Sequence, residues 1–151
     1  MKKVLFIVLL CIFTIQLSAQ QRVPSEKKMS IAAGVLQGGG GLVGVDWELL
    51  LADHLSAQVG AGLFSFGGGI SYHFKPYINS SMISVLFWHQ GFGEKYMQTV
   101  VGPVFTYRAP KVFQCQIGVG YRLFGGVNLP QEYWNVPVML MYSIGVYFPL
   151  Y

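Results

Sequence analysis

Apolar and polar positions alternate with a period of two along most of this chain. From Phe113 one set reads Phe113, Cys115, Ile117, Val119, Tyr121, Leu123, and the other reads Gln114, Gln116, Gly118, Gly120, Arg122. Leu55, Ala57, Val59, Ala61, Leu63 alternate in the same way with Ser56, Gln58, Gly60, Gly62. So do Val43, Val45, Trp47, Leu49, Leu51 with Gly44, Asp46, Glu48, Leu50. Successive side chains of a strand point to opposite faces, so each segment presents one apolar face and one polar or small face. A helix would scatter Asp46, Glu48 and Arg122 around its girdle. The pattern predicts strands over 29–36, 42–51, 55–64, 68–74, 80–90, 96–108, 112–124 and 136–148. Ala52-Asp53-His54, Lys75-Pro76 and Ala109-Pro110-Lys111 read as tight turns. The connections over 38–41, 91–95 and 125–135 are longer or glycine-rich, with a short one at 65–67. This is the sequence form of an all-β, eight-stranded antiparallel up-and-down barrel.

Composition bears on which face meets solvent. The chain is 53% apolar, 15% aromatic and 11% charged, with 19 glycines. A soluble domain typically carries roughly 25% charged residues. So little charge points to lipid as part of the solvent, and only helices and closed barrels span a bilayer. The best helical candidate, 133–151, contains Pro137 and Pro149 and is rich in Tyr, Val and Ile. A transmembrane β-barrel is therefore expected. Alternation does not by itself distinguish lumen from exterior, so a secreted, soluble, lipocalin-like binding barrel with its apolar face inward is the opposing reading. Glycine dominates the polar face, which offers too little Lys and Glu for a water-facing surface.

The N-terminus has the form of a secretory signal peptide. Lys2 and Lys3 precede an apolar stretch at 4–17, and Leu17-Ser18-Ala19 offers a small residue for cleavage after Ala19. Lipidation at Cys11 is disfavoured by bulky Leu10 before it. The expected organisation is a signal peptide over 1–19, a short periplasmic tail over 20–28 and a barrel over 29–151. Cleavage removes two of ten basic residues, leaving eight against six acidic ones, a mature net charge of +2. That value carries no argument for nucleic acid. Cys115 becomes the only cysteine, so no intramolecular disulfide is available.

Aromatic residues agree with a membrane location. Tyr72, Phe74, Tyr77, Tyr107, Phe113 and Phe148 fall near the turn ends; Phe64, Trp88, Phe92, Tyr96, Tyr121, Phe124 and Trp134 fall near the loop ends. Two aromatic girdles flanking an apolar band are characteristic of outer-membrane barrels. The ending Tyr142-Ser143-Ile144-Gly145-Val146-Tyr147-Phe148-Pro149-Leu150-Tyr151 looks like the C-terminal insertion signal of such barrels, although Pro149 departs from its pattern. With the Leu17-Ser18-Ala19-Gln20 junction and the Gly-rich strands, the chain resembles small porin-like outer-membrane β-barrel proteins of the Bacteroidetes type. That resemblance implies a bacterial outer-membrane location. Outer-membrane lipid and lipopolysaccharide are then its surroundings, with the barrel-assembly machinery engaging the C-terminal strand of a monomer. It implies no reaction.

An eight-stranded barrel is just wide enough for side chains to fill. Asp46, Glu48, Arg108, Arg122, Gln58, Gln98, Gln114, Gln116 and His73 are expected inside, with Asp46 and Glu48 joined to Arg122 and Arg108 nearer the turn end. The expected role is a structural lumenal network; a narrow ion or small-solute path is the alternative. Ser71 and His73 share a face, and Asp46 or Glu48 could complete a triad of the kind used by lipid A-modifying enzymes. The His-x-Ser-Asn motif of the deacylases is absent, and the expectation is no enzyme. Trp88, His89, Gln90 and Trp134 are candidates for recognition of a lipopolysaccharide group at the rim. The scattered His and Cys residues have no metal-ligand spacing, and no cofactor is implied. The glycines at 38–41 read as a loop.

Overall fold

In a computed structural model, residues 27–91, 97–126 and 136–151 are described. The expected signal peptide, most of the tail, Phe92, Tyr96 and Trp134 lie outside them. Eight antiparallel strands close into one up-and-down barrel: β1 (Met29–Val35), β2 (Val43–Leu50), β3 (Leu55–Gly62), β4 (Ser65–His73), β5 (Met82–Gln90), β6 (Gln98–Arg108), β7 (Phe113–Gly125) and β8 (Val138–Leu150). Each strand pairs with its sequence neighbour, and β1 closes the cylinder on β8 from Met29↔Leu150 to Val35↔Ile144. Strand β8 thus keeps its ladder through Pro149, which stands opposite Ser30.

Register decides the faces. Val45, Val59, Ile70, Val85, Ile117, Val119, Leu140 and Ile144 all point outward and are exposed. The charged residues within strands are Asp46, Glu48, Arg108 and Arg122, and all four stand on the inward face. The apolar face is therefore the exterior, the reverse of the lipocalin-like arrangement. One irregularity, between Thr99 and Val100 of β6, leaves Leu123 of β7 without a partner. This bulge turns both Leu123 and Phe124 outward near the loop end, where strict alternation would send one of them inside.

Three connections differ from the sequence reading. The short β3–β4 connection falls at Leu63 and Phe64, the latter at φ 63°, and not at 65–67, which belong to β4. The β4–β5 connection runs from 74 to 81 and is more than a Lys75-Pro76 turn. Its Ile78 is 1% exposed, so the segment folds under the barrel mouth and buries a large side chain there. The third is the glycine segment between β1 and β2. It forms a compact turn, Gln37–Gly40, that dips into the barrel, with Gln37, Gly38 and Gly39 buried. Gly38, Gly39 and Gly40 have φ of 65°, 82° and 81°, a left-handed run that side-chain-bearing residues rarely adopt. A Cβ at Gly38 would collide with the carbonyl of Ala61, and one at Gly39 with that of Phe66.

Candidate functional site

The barrel interior is built in three parts. Nearest the turn end, Glu48 of β2 is 2% exposed and receives four donors, two on each oxygen. Ser56 Oγ donates to Oε1 at 2.6 Å, and His73 Nε2 lies 2.8 Å from the same oxygen. Ser30 Oγ donates to Oε2 at 3.0 Å and Arg108 Nη2 at 2.7 Å. Alternation on β1, β2, β3, β4 and β6 brings these five side chains to one level, from positions far apart in sequence. Arg108 is satisfied in turn: Nε donates to Gln114 Oε1 at 3.0 Å, and Nη1 donates to the Ile78 carbonyl. Its guanidinium lies 4.8 Å from the centre of the Tyr147 ring, and Tyr147 donates to the Ala109 carbonyl at 2.7 Å. A buried ion pair is tolerable only when its remaining polar atoms are satisfied, and here nearly all are.

Arg108, and not Arg122, is thus the cation on Glu48. Arg122 stands near the opposite end of β7, beside Val100 of β6. Two inward positions on one strand are separated by nearly 7 Å of rise, so residues sharing a face need not share a level. Asp46 is likewise apart from the pair, and its Oδ1 accepts from Gly38 N at 3.2 Å.

A Ser–His–Glu constellation does occur, with Ser56 in the position expected for Ser71. Ser71 instead accepts from Ser84 at 2.7 Å. The geometry is unsuited to nucleophilic catalysis. Ser56 Oγ, at 3.0 Å, and the Glu48 carboxylate both address the same nitrogen of His73, Nε2, whereas a relay uses the two ring nitrogens separately. Nδ1 is buried without a partner, and Ser56 and His73 are each 0% exposed. The hydroxyl is buried in the wall-to-wall packing of the lumen.

The second part is apolar. Leu86 and Trp88 of β5, Val100 and Val104 of β6 and Met141 of β8 form a buried cluster inside the cylinder, with Met139 against it. Strand β5 is largely apolar on both faces: Met82, Leu86 and Trp88 point inward with Ser84, and Ile83, Val85 and Phe87 point outward. The interior is therefore polar on the β2–β4 side and hydrocarbon on the loop half of the β5–β6 side, whose turn half carries Ser84, Thr106 and Arg108. Trp88 is 6% exposed within this cluster, so it is unavailable to a ligand at the rim. Its neighbours divide by alternation. His89 points outward, packs its ring tilted against Phe66 at 4.7 Å between centroids and lies 2.9 Å from Thr99 Oγ1. Gln90 points inward. The rim candidates thus occupy two faces of one strand, and Trp134 lies outside the described residues.

The third part is the inserted glycine turn, which closes the loop end. Gly38 N is held by Asp46, and Ser65 Oγ donates to the Gly38 carbonyl at 2.7 Å. Gln90 Nε2 donates to the Gly40 carbonyl at 2.9 Å while its Oε1 accepts from Gln98 at 2.6 Å. Ser143 Oγ lies 2.5 Å from the Gln37 amide oxygen and 2.9 Å from that of Gln116. Gly44, Gly60, Gly62 and Gly67 lie against the turn: a Cβ at any of them would come within 3.0 Å of its backbone, and at Gly60 and Gly62 it would first meet the Asp46 and Ser65 side chains. These strand glycines are the bed of this turn. Gln58, opposite Glu48 in the β2–β3 register, and Gln116, which shares Ser143 with Gln37, are both buried inside the barrel beneath the turn. The sequence signal was present in the glycines at 38–41 opposite inward glycines on three later strands, but only the register brings them together.

No protein-family model, curated protein or solved structure matches this chain.

Proposed function

We propose that this protein is a small integral barrel of a bacterial outer membrane, with a structural or surface-presenting role and a lumen closed to solute flow. The observation that carries the reading is the exterior. No strand position that faces outward among the described residues holds Asp, Glu, Lys or Arg, and the outward face is a near-continuous cover of Val, Ile, Leu, Phe, Trp and Tyr. Monomeric soluble proteins rarely expose apolar patches beyond a few hundred Å². The dimensions support the same reading. A strand rises about 3.3 Å per residue, and closure tilts it by about 40°, so strands of 9 and 13 residues give heights of about 23 and about 33 Å. An outer-membrane barrel needs an apolar band about 25 Å tall. Lys27, Lys28, Asp53, Lys75 and Lys111 cluster at the end that holds the short turns, suited to a headgroup boundary on the periplasmic side.

The filled interior favours a structural role over a narrow channel. Glu48 and Arg108 face each other with their hydrogen bonds satisfied, the loop half of the β5–β6 side is packed hydrocarbon, and the glycine turn covers the loop end. The buried Ser56 hydroxyl argues against lipid A modification. On this reading outer-membrane lipid and lipopolysaccharide surround the barrel, and the assembly machinery engages β8. The test is fractionation followed by a gel of boiled and unboiled samples. A band in the outer-membrane fraction whose mobility changes on boiling supports the proposal. A soluble periplasmic protein without a shift overturns it.

A further inference from the structure

We propose that the Gln37–Gly40 turn is a movable plug, latched by hydrogen bonds, whose release opens a polar vestibule at the loop end of the barrel. The inference goes beyond the membrane reading, because it concerns the interior and holds whatever surrounds the exterior.

What holds the turn is unusual for a buried segment. Its four residues are one glutamine and three glycines, so no apolar side chain of the turn anchors it. Burial of hydrocarbon, the dominant favourable contribution in most packed segments, is almost missing. The attachment consists instead of a few polar contacts from four strands: Asp46 from β2, Ser65 from β4, Gln90 from β5 and Ser143 from β8. Each such contact contributes little net, because water offers the same groups equivalent partners once they are exposed. Against them stands the ordering of three consecutive glycines, the residue type that loses the most conformational freedom on being fixed. A latch of this composition is near balance, unlike the strands around it.

The space beneath is pre-shaped. Gly44, Gly60, Gly62 and Gly67 put no side chain into the volume that the turn occupies, so its departure leaves a recess rather than a collapsed wall. Asp46, Ser65, Gln90 and Ser143, freed from the turn, would line that recess with hydrogen-bonding groups. Its floor is formed by Gln116, Gln58 and, opposite Gln58 on β2, Glu48 with its Arg108 partner. The opened state therefore admits water and small polar solutes to a blind vestibule and does not create a through-pore. The flanking residues fit a hinge: Leu36 has φ of 59° and Gly41 is extended, which places a conformational break at each end of the turn.

A thiol reporter tests this directly. Gln58→Cys, in a Cys115→Ser background, places a thiol below the turn at a position outside the latch. A small water-soluble methanethiosulfonate reagent is applied to the detergent-folded barrel, with mobility before boiling verifying the fold of each variant. Slow labelling is expected with the latch intact, and at least a tenfold faster rate with Ser65→Ala and Gln90→Ala combined. Deletion of residues 38–40 provides an open reference with the fastest rate. Equal rates with and without the latch substitutions, or no labelling in any folded variant, would overturn the plug. A barrel that labels as expected but partitions as a soluble protein would leave the plug standing and refute the membrane reading alone.

Discussion

The Glu48–Arg108 pair offers the sharpest test of what the interior does. Glu48→Ala removes an acceptor that Arg108 Nη2 reaches at 2.7 Å and that Ser30, Ser56 and His73 also address. Arg108 is 6% exposed and keeps Gln114, the Ile78 carbonyl, Ser30 and the face of Tyr147, none of them charged. Breaking a buried pair from one side leaves an uncompensated charge, which typically costs about 3–5 kcal/mol. That is a large share of the roughly 5–15 kcal/mol by which folded domains exceed their unfolded states. Arg108→Met leaves the Glu48 carboxylate with Ser30, Ser56 and His73, and should cost a similar amount. The double variant removes both charges, so its loss should fall short of the sum by about 2–3 kcal/mol, the upper range for directly contacting residues. The assay is urea unfolding of barrels folded in detergent, followed by the fraction migrating as the compact band. Arg122→Ala serves as the control. It stands half-buried at the other end of β7 and should show coupling to Glu48→Ala below about 0.5 kcal/mol, as expected for distant sites. If Glu48 and Arg108 couple as weakly as that control, the reasoning is wrong and the pair is incidental.

Other expectations follow from the same geometry. Val119→Arg places a charge at the middle of β7 on the exposed apolar face, and should destabilise a vesicle-folded barrel by about 2–4 kcal/mol; a loss within about 0.5 kcal/mol, as for a water-exposed site, would argue against lipid contact. Leu86→Ala opens a cavity in the apolar cluster and should lower unfolding stability by about 2–5 kcal/mol. A smaller loss in the same urea titration would mean that the cluster is loosely packed. Single-tryptophan variants should separate the faces: in brominated lipid, fluorescence from Trp47, exposed on the outer face, should be strongly quenched, and that from Trp88 should be spared. Equal quenching would contradict the assigned register of β2 and β5. Gly39→Val, whose Cβ would meet the Phe66 carbonyl at a left-handed φ, should expel the turn and speed labelling of a Gln58→Cys thiol while the compact band persists.

Sequence alone determined the strands and their faces, because the period of two is written residue by residue and needs no partner to be read. The eight segments, the inward placement of Asp46, Glu48, Arg108 and Arg122, and the outward placement of Val45, Val59 and Ile117 all follow from local alternation. It could not determine which inward residues share a level. Strand tilt and stagger decide that, and they put Arg108 against Glu48 and leave Arg122 at the far end. Nor could alternation interpret β5, where both faces are largely apolar and the buried role of Trp88 emerges only from its pairing with Val100. The glycine turn marks the same boundary from the other side. Four glycines in a row announce a loop, but that the loop turns inward depends on glycines at 44, 60, 62 and 67 leaving it room. Those positions become neighbours only when the cylinder closes. Local periodicity specifies which way a side chain points, whereas the contacts it makes across the lumen are set by register between strands that the chain joins only in three dimensions.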